Sequence, residues 1–316
     1  MIARVLSAPL LVALIAIALG TCVDALIKGI APGAGLHHLL AWRYLFGAII
    51  AVSIFRLQKR PRPDAEAIRF HTMRGIVQLG TAFLFFYALM QLRLAEATII
   101  GFTAALMVPV VARILLGERV TPIAMVATIV GFFGAALAIS GAPDSASETG
   151  NRPLGLAACF AAAFLYALVL VMLRMRATKE DATTIAMFTN LIPALLLLPV
   201  LIGFPLFELL QPGAPYASGP EWRYLPYFFL FGLLGYTVWY LMTLAYARAP
   251  AQRLAPLEYT ALIWSALLGI VYFNEVPGWQ LWVGAVIIIA ACLIVAFEDH
   301  FKTRREAGLP ASDLPE

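Results

Sequence analysis

Apolar runs of about 20 residues, each closed by a short polar stretch, alternate along the whole chain, and runs of that length cross a hydrocarbon core as helices. Ten can be placed, at 8–28, 37–56, 74–92, 96–116, 121–141, 153–173, 183–203, 224–246, 251–273 and 279–298. The polar interruptions are uneven. Between spans two and three runs a basic connector, Arg56–Arg74, with Pro61 and Pro63; its 64–73 portion reads as a short interfacial helix. Residues 142–152, Ala-Pro-Asp-Ser-Ala-Ser-Glu-Thr-Gly-Asn-Arg, form the strongly polar loop of mid-chain and leave five spans on either side. A second long loop, 204–222, is rich in proline and glycine, and the polar residues after 299 are expected to be disordered.

Composition agrees with the pattern. Of 316 residues, 62% are hydrophobic and 13% charged, with a mean hydropathy of +0.88. A soluble domain carries about twice that charged fraction. The expectation is therefore an all-α, polytopic membrane bundle. The formal net charge of +4 does not point to nucleic acid, because the basic residues cluster in short loops between spans. Cys22, Cys159 and Cys292 all lie within apolar segments and read as packing residues, not as a disulfide or metal set. At the N-terminus, Arg4 and the apolar run after it compete with a cleavable signal peptide, and Leu19-Gly20-Thr21-Cys22 hints at a lipoprotein site. Threonine is a poor residue before such a cysteine, and the run continues to Ile27, so the stretch reads as a first transmembrane helix.

Charge sets an orientation. With the N-terminus inside, most of the 22 basic residues fall in one compartment. The other receives Lys28, Arg93, Arg152 and Arg223, while Arg43 lies within span two. By the positive-inside rule both termini are expected to be cytoplasmic. The spans also carry a repeat signal. Glu118 closes span four and Glu275 closes span nine, each followed soon by a proline. The shift that superposes them also superposes Thr103-Ala104 on Thr260-Ala261. A five-span unit written twice enters the membrane from opposite sides, a topology found in carriers. The expected division is a first repeat over 1–141, a linker over 142–152, a second repeat over 153–298 and a cytoplasmic tail over 299–316.

The ten-span layout, Gly-Glu-Arg-Val-Thr-Pro at 117–122 and Phe-Asn-Glu-Val-Pro at 273–277 resemble the EamA-type drug/metabolite transporter superfamily. Trp42-Arg43-Tyr44 is similar to the arginine-plus-aromatic pattern of the second helix in that family, and the resemblance covers about residues 8–298. One departure is Ala127, nine residues after Glu118, where the family usually has glycine; Gly284 occupies the matching place after Glu275. The resemblance implies a secondary carrier with a central cavity between two inverted five-helix repeats. The cavity is then expected to be lined by spans one to four and six to nine, with spans five and ten as scaffold or as the surface of a homodimer.

The chain has no Gly-x-x-x-x-Gly-Lys-Ser/Thr loop to bind a nucleotide, so transport must run on a gradient or on exchange. It has no His-Glu-x-x-His pair and no Gly-x-Ser-x-Gly, which argues against an intramembrane enzyme; His37, His38, His71 and His300 sit at span ends or in loops. No cofactor is implied. The expected partners are a small-molecule solute, a proton or other coupling ion, and the lipid bilayer, in a multi-pass protein of a bacterial inner membrane. The alternative is a membrane sensor or assembly protein that transports nothing.

Charges inside a membrane are costly and point to function. Asp24 either pairs with Lys28 one turn on or faces the cavity as a cation or proton site. Arg43 either fixes the bundle or binds an anionic group of the solute. Glu258, two turns into span nine, is the favoured carboxylate, because Pro256 removes a backbone donor and makes the helix irregular beside it. It is a candidate for proton coupling; the competing reading pairs it with Arg248 or Arg253. Glu118 and Glu275 mark the repeat and read as structural. Aromatic and amide candidates are Tyr44, Gln78, Tyr87, Gln91, Tyr166, Asn190, Trp239, Tyr240, Tyr259 and Trp264. Tyr166, Asn190, Trp239 and Trp264 lie nearest mid-span, where polar atoms need partners away from lipid. They would suit a planar or amphipathic, amino acid-like solute, although core packing competes at each position. Small residues at helical spacing, Gly155, Cys159 and Ala163 on span six and Gly131 with Ala135 on span five, allow close helix approach.

Overall fold

The computed structural model describes residues 8–34, 36–91, 94–118, 120–140, 152–210, 222–273 and 278–306, many of the helical ones by backbone alone. Among them there is no strand, and the chain is an all-α, polytopic membrane protein. The long helices are α1 (Pro9–Ala34), α2 (Leu36–Leu57), α3 (Ala65–Gln91), α4 (Leu94–Leu116) and α5 (Pro122–Ser140), then α6 (Arg152–Ala177), α7 (Ala182–Leu210) and α8 (Leu225–Arg248). The ninth runs in three pieces: α9a (Ala251–Leu254), a 3₁₀ stretch Ala255–Thr260, and α9b (Ala261–Phe273). Last comes α10 (Trp279–Glu306).

By length and apolarity alone, the stretches His38–Leu57, Pro153–Ala177, Ala182–Leu201 and Leu225–Arg248 each suffice to cross a membrane. Apolar stretches of α1, α4, α5 and α10 are shorter among the described residues. Large apolar side chains point outward around the bundle, among them Ile114, Phe133, Val271 and Val286, which a lipid surround makes favourable. Two expectations are corrected. The 64–73 stretch is no separate interfacial helix but the first third of α3, which Asp64 caps by accepting from the Ala67 amide at 2.7 Å. Residues 299–306, expected to be disordered, continue α10 without a break; its last turns hold polar residues that need no burial to stay helical. The linker 141–151 and the loop 211–221 lie outside the described residues.

The packing has a regular plan. The strongest pairings are α5 with α10, α2 with α7, α3 with α6, α8 with α1, α4 with α6, and α2 with α8. Exchanging each helix for the one five places along turns α2·α7 and α5·α10 into themselves and α3·α6 into α8·α1. Contacts between α4 and α6 go over into those between α9b and α1, which are also present. The main core gathers residues of α1, α4, α6, α8 and α9, with Leu170, Leu173, Tyr246 and Tyr259 fully buried.

Lipid gives apolar helices no hydrophobic reason to associate, so close fit must hold them. Glycine supplies it at three crossings. A Cβ on Gly232 of α8 would stand 2.6 Å from the Gly47 nitrogen of α2, and one on Gly134 of α5 would stand 3.1 Å from the Gly284 carbonyl of α10. A Cβ on Gly131 would meet the Tyr259 ring at 2.5 Å. Ala127, where the resembling family has glycine, is fully buried against Ala291 of α10, so the methyl is absorbed into the α5·α10 seam. Gly232→Ala is expected to lower stability by about 1–3 kcal/mol, since backbone cannot yield as a side chain can. Gly80→Ala, whose Cβ would meet Leu165 at an ordinary 3.7 Å, is expected to leave it unchanged. Denaturant unfolding of the two variants in detergent checks the contrast.

Candidate functional site

Glu258 lies in the 3₁₀ stretch of the ninth helix. Pro256 has no N–H to give the carbonyl four residues back, and the chain adopts the tighter winding over six residues. At 3₁₀ pitch, successive side chains point about 120° apart. Glu258 therefore faces α1, α6 and α8, while Tyr259 faces α4 and α5, its ring edge-on to Phe102 at 5.6 Å and against Gly131.

On the Glu258 side is a cavity of about 130 Å³, bounded by Ala16, Ile17, Gly20 and Thr21 of α1, Tyr166 of α6, Val238, Trp239 and Met242 of α8, and Ala261. Tyr166 Oη donates to Glu258 Oε2 at 3.5 Å. Three sequence candidates, Tyr166, Trp239 and Glu258, thus converge from three helices onto one space. Thr21, which gives its hydroxyl to the Ile17 carbonyl at 2.9 Å, joins them without having been singled out. A larger space of about 310 Å³ between α2 and α7 is lined by apolar side chains and Ser53, with no ionisable group.

The other candidates lie elsewhere. Arg43 stacks over the Tyr44 ring at 5.2 Å and fills the room left by Gly235 of α8. Tyr44 is buried and accepts a long hydrogen bond from Gln78 Nε2 at 3.4 Å. Asn190 is buried between α2 and α7; its Nδ2 returns to the Ala186 carbonyl at 2.8 Å, and its amide oxygen occupies the space above Gly47. Trp264 packs on the main core with its indole N–H buried and without an acceptor. The side chains of Asp24 and Gln91, and all of Glu275, lie outside the described residues. The hydrogen bond that Glu258 accepts comes from Tyr166. Among the described residues no group of three histidines, cysteines, aspartates or glutamates is placed to hold a metal.

Sequence reasoning missed two residues, both read as connector or span end. Arg74 is buried at 1% exposure, donates through Nη2 to the Thr189 hydroxyl, and lies over the Trp239 ring at 5.9 Å. His71 is equally enclosed: Nε2 donates to Glu180 Oε2 at 2.8 Å and the ring stacks on Phe188. The available signal was spacing. His71, Arg74 and Gln78 recur at helical intervals and run straight into the apolar part of α3.

A helical membrane bundle with a carboxylate at a helix break is a carrier's construction, and the comparisons decide the family. The profile of the EamA-like transporter family matches residues 5–140 and again residues 153–297. The chain belongs to the EamA-like transporter family. It is a membrane transporter and not an enzyme. This EamA-like chain is 26% identical over 269 residues to a riboflavin transporter of Brucella anthropi, covering 83% of the chain and 88% of the relative. It is 23% identical to an S-adenosylmethionine uptake transporter of Rickettsia bellii, covering 84% and 86%. Human solute carrier family 35 member G1 is 24% identical, covering 85% of this chain and 73% of its own. A solved crystal structure of a protein matches the fold with a TM-score of 0.73 at 20% identity, over 92% of this chain and 99% of that one.

One end of the transporter is tied by polar contacts, each joining a residue before the central linker to one after it. Gln58 accepts from Thr183, Arg60 faces Asp181 at 3.6 Å, Glu66 pairs with Arg176 at 2.9 Å, and His71 meets Glu180. Glu118 makes the widest tie: it takes Arg174 Nε at 3.0 Å and the Ala251 amide at 3.2 Å, so one carboxylate holds the ends of α4 and α6 and the start of α9. Arg174 also donates to the Tyr246 carbonyl of α8. Glu118→Gln is expected to destabilise the protein by about 1–3 kcal/mol, because a half-buried guanidinium loses its counter-charge. Glu66 is 82% exposed, and Glu66→Gln is expected to change stability by less than about 0.5 kcal/mol. Unfolding of both variants in detergent measures the difference.

Proposed function

We propose that the protein is a secondary carrier that moves a small organic metabolite, amino acid-like or aromatic and amphipathic, by alternating access. The observation that carries this reading is the convergence of an indole, a phenol and a carboxylate on one half-open space beside a broken helix. An aromatic body would lie against Trp239, with Tyr166 and Glu258 taking its polar edge. Riboflavin and S-adenosylmethionine, the solutes in the names of two relatives, both carry a planar heteroaromatic ring system.

At about 130 Å³ the cavity has room for a few water molecules, whereas sites for molecules of that size measure about 300–1,000 Å³. Loading therefore needs α1, α6 and α8 to part. Two features support two five-helix repeats, 1–141 and 153–298, rocking about this centre: the family profile matches twice, and the helix pairings survive exchange of each helix with the one five along. The tied end, which gathers basic residues of α2, α3 and α6, would be the cytoplasmic gate, closed here and opened when the repeats rock the other way. Spans α5 and α10 would stand outside the moving core as scaffold or as a homodimer surface.

Glu258 would carry the coupling proton, exchanging it with the solute through the same cavity. In proteoliposomes, Trp239→Ala is expected to lower solute flux about 10-fold through lost stacking. Glu258→Gln is expected to retain exchange of solute for solute while net uptake loses its dependence on a pH gradient. Uptake by Glu258→Gln that still follows the gradient removes the carboxylate from the coupling role. An absence of flux for every solute in a broad metabolite panel removes the carrier reading altogether.

A further inference from the structure

Arg74 has no structural role that accounts for all of its polar atoms. It is 1% exposed, about 14 Å in from the start of α3 at about 1.5 Å per residue. Counted the same way from their own ends at the tied side, Ile17, Tyr166, Trp239 and Glu258 lie about 10–17 Å in. The arginine is thus at the level of the cavity. Its Nη2 donates to Thr189, a neutral hydroxyl that already gives its own proton to the Ile185 carbonyl. Its Nη1 is buried with no acceptor. Among the described residues no carboxylate pairs with it: Glu180, the acid nearest in charge effect, is engaged by His71 and Arg176. One turn along the same face, Gln78 Oε1 is also buried without a partner.

An enclosed guanidinium with an idle donor and no counter-ion is costly, and a purely structural arginine would be expected to have its forks filled. The geometry also gives it a direction. Arg74 lies over the Trp239 ring at 5.9 Å, and Trp239 lines the cavity that holds Glu258. The indole therefore stands between a cation and a carboxylate at one depth in the bundle.

We propose that Arg74 is the anion-binding pole of the transport site, paired with Glu258 across Trp239, and that the solute class is a planar aromatic zwitterion. The carboxylate of the solute takes the idle Nη1 when the helices part, its ring stacks on Trp239, and its cationic group takes the place of the proton on Glu258. The assignment rests on the carrier reading given above, but it is separable from it.

Three ring sizes test it, each as an amino acid and as the same molecule without its carboxyl group: phenylalanine with phenethylamine, tryptophan with tryptamine, and S-adenosylmethionine with its decarboxylated form. Dissociation constants are measured for the purified full chain in detergent, and flux is measured in proteoliposomes. For at least one ring size the wild type is expected to bind the zwitterion about 10-fold or more tightly than its partner, the size of a charge-assisted hydrogen bond. Arg74→Gln is expected to bring that ratio near one without weakening the carboxyl-free partner, and Arg74→Lys to keep part of it. A protein in which Arg74 only supports the fold would lose both partners alike. An unchanged ratio in Arg74→Gln, or no preference for the carboxylate at any ring size in the wild type, overturns the proposal. Should Arg74→Gln fail to fold, the wild-type ratios and Arg74→Lys still decide. If flux of any solute depends on Trp239 while every ratio stays near one, only this inference falls. If the ratios hold and nothing is transported, the carrier reading falls instead.

Discussion

Everything in this molecule follows from the absence of water in the hydrocarbon layer. A backbone amide or a side-chain donor there must find its partner within the protein, since several kcal/mol is lost for each one left bare. The helices meet that demand by hydrogen-bonding to themselves, and hydroxyls follow suit: Thr21, Thr128, Thr189 and Thr243 each return their proton to the carbonyl four residues back. Against that background three exceptions bear on the site. The winding fails at Pro256, the carboxylate beside it leans on a tyrosine, and a guanidinium across the bundle keeps a donor idle.

Two kinds of adhesion hold the bundle, and they differ in what they permit. The glycine crossings at Gly47·Gly232 and Gly134·Gly284 are contacts of backbone on backbone, short in reach and tolerant of little displacement. The polar ties at the basic end are made by long side chains, such as Arg174 on Glu118 and Arg176 on Glu66, which can let go and be solvated. Fixed crossings between helices and releasable ties at one end are the combination that the proposed rocking requires.

Much of this was legible in the residues. Apolar run length located every helix, though the polar ends of several run six to nine residues beyond the apolar run, Pro256 announced the irregular stretch, and Tyr166, Trp239 and Glu258 stood out as polar groups deep in spans. Three things were hidden, each for a physical reason. Arg74 was counted with a connector because charge and proline upstream of it resemble a loop, while the Asp64 cap starts α3 early enough to carry the arginine inside. Tyr259 looked equivalent to Glu258, its neighbour, yet adjacent side chains on a helix diverge by about 100–120°, which turns the ring toward Phe102 and the carboxylate toward the cavity. Asn190 looked like a ligand group, but the missing side chain at Gly47 lets α2 close on it and turns it into a packing element. Handedness, local pitch and the identity of a facing glycine on another helix all belong to the third dimension.

The six residues Ala255–Thr260 carry one more property. A 3₁₀ stretch rises about 2.0 Å per residue and turns about 120°, against 1.5 Å and 100° for an α-helix. Over six residues the ninth helix is therefore about 3 Å longer and about a third of a turn overwound relative to a continuous α-helix. Glu258 sits on this longer, tighter stretch. If it rewound to α-helix, α9b would screw along its axis against α1 and the carboxylate would leave the α6 face, so the coupling role proposed for Glu258 would join proton transfer to helix displacement.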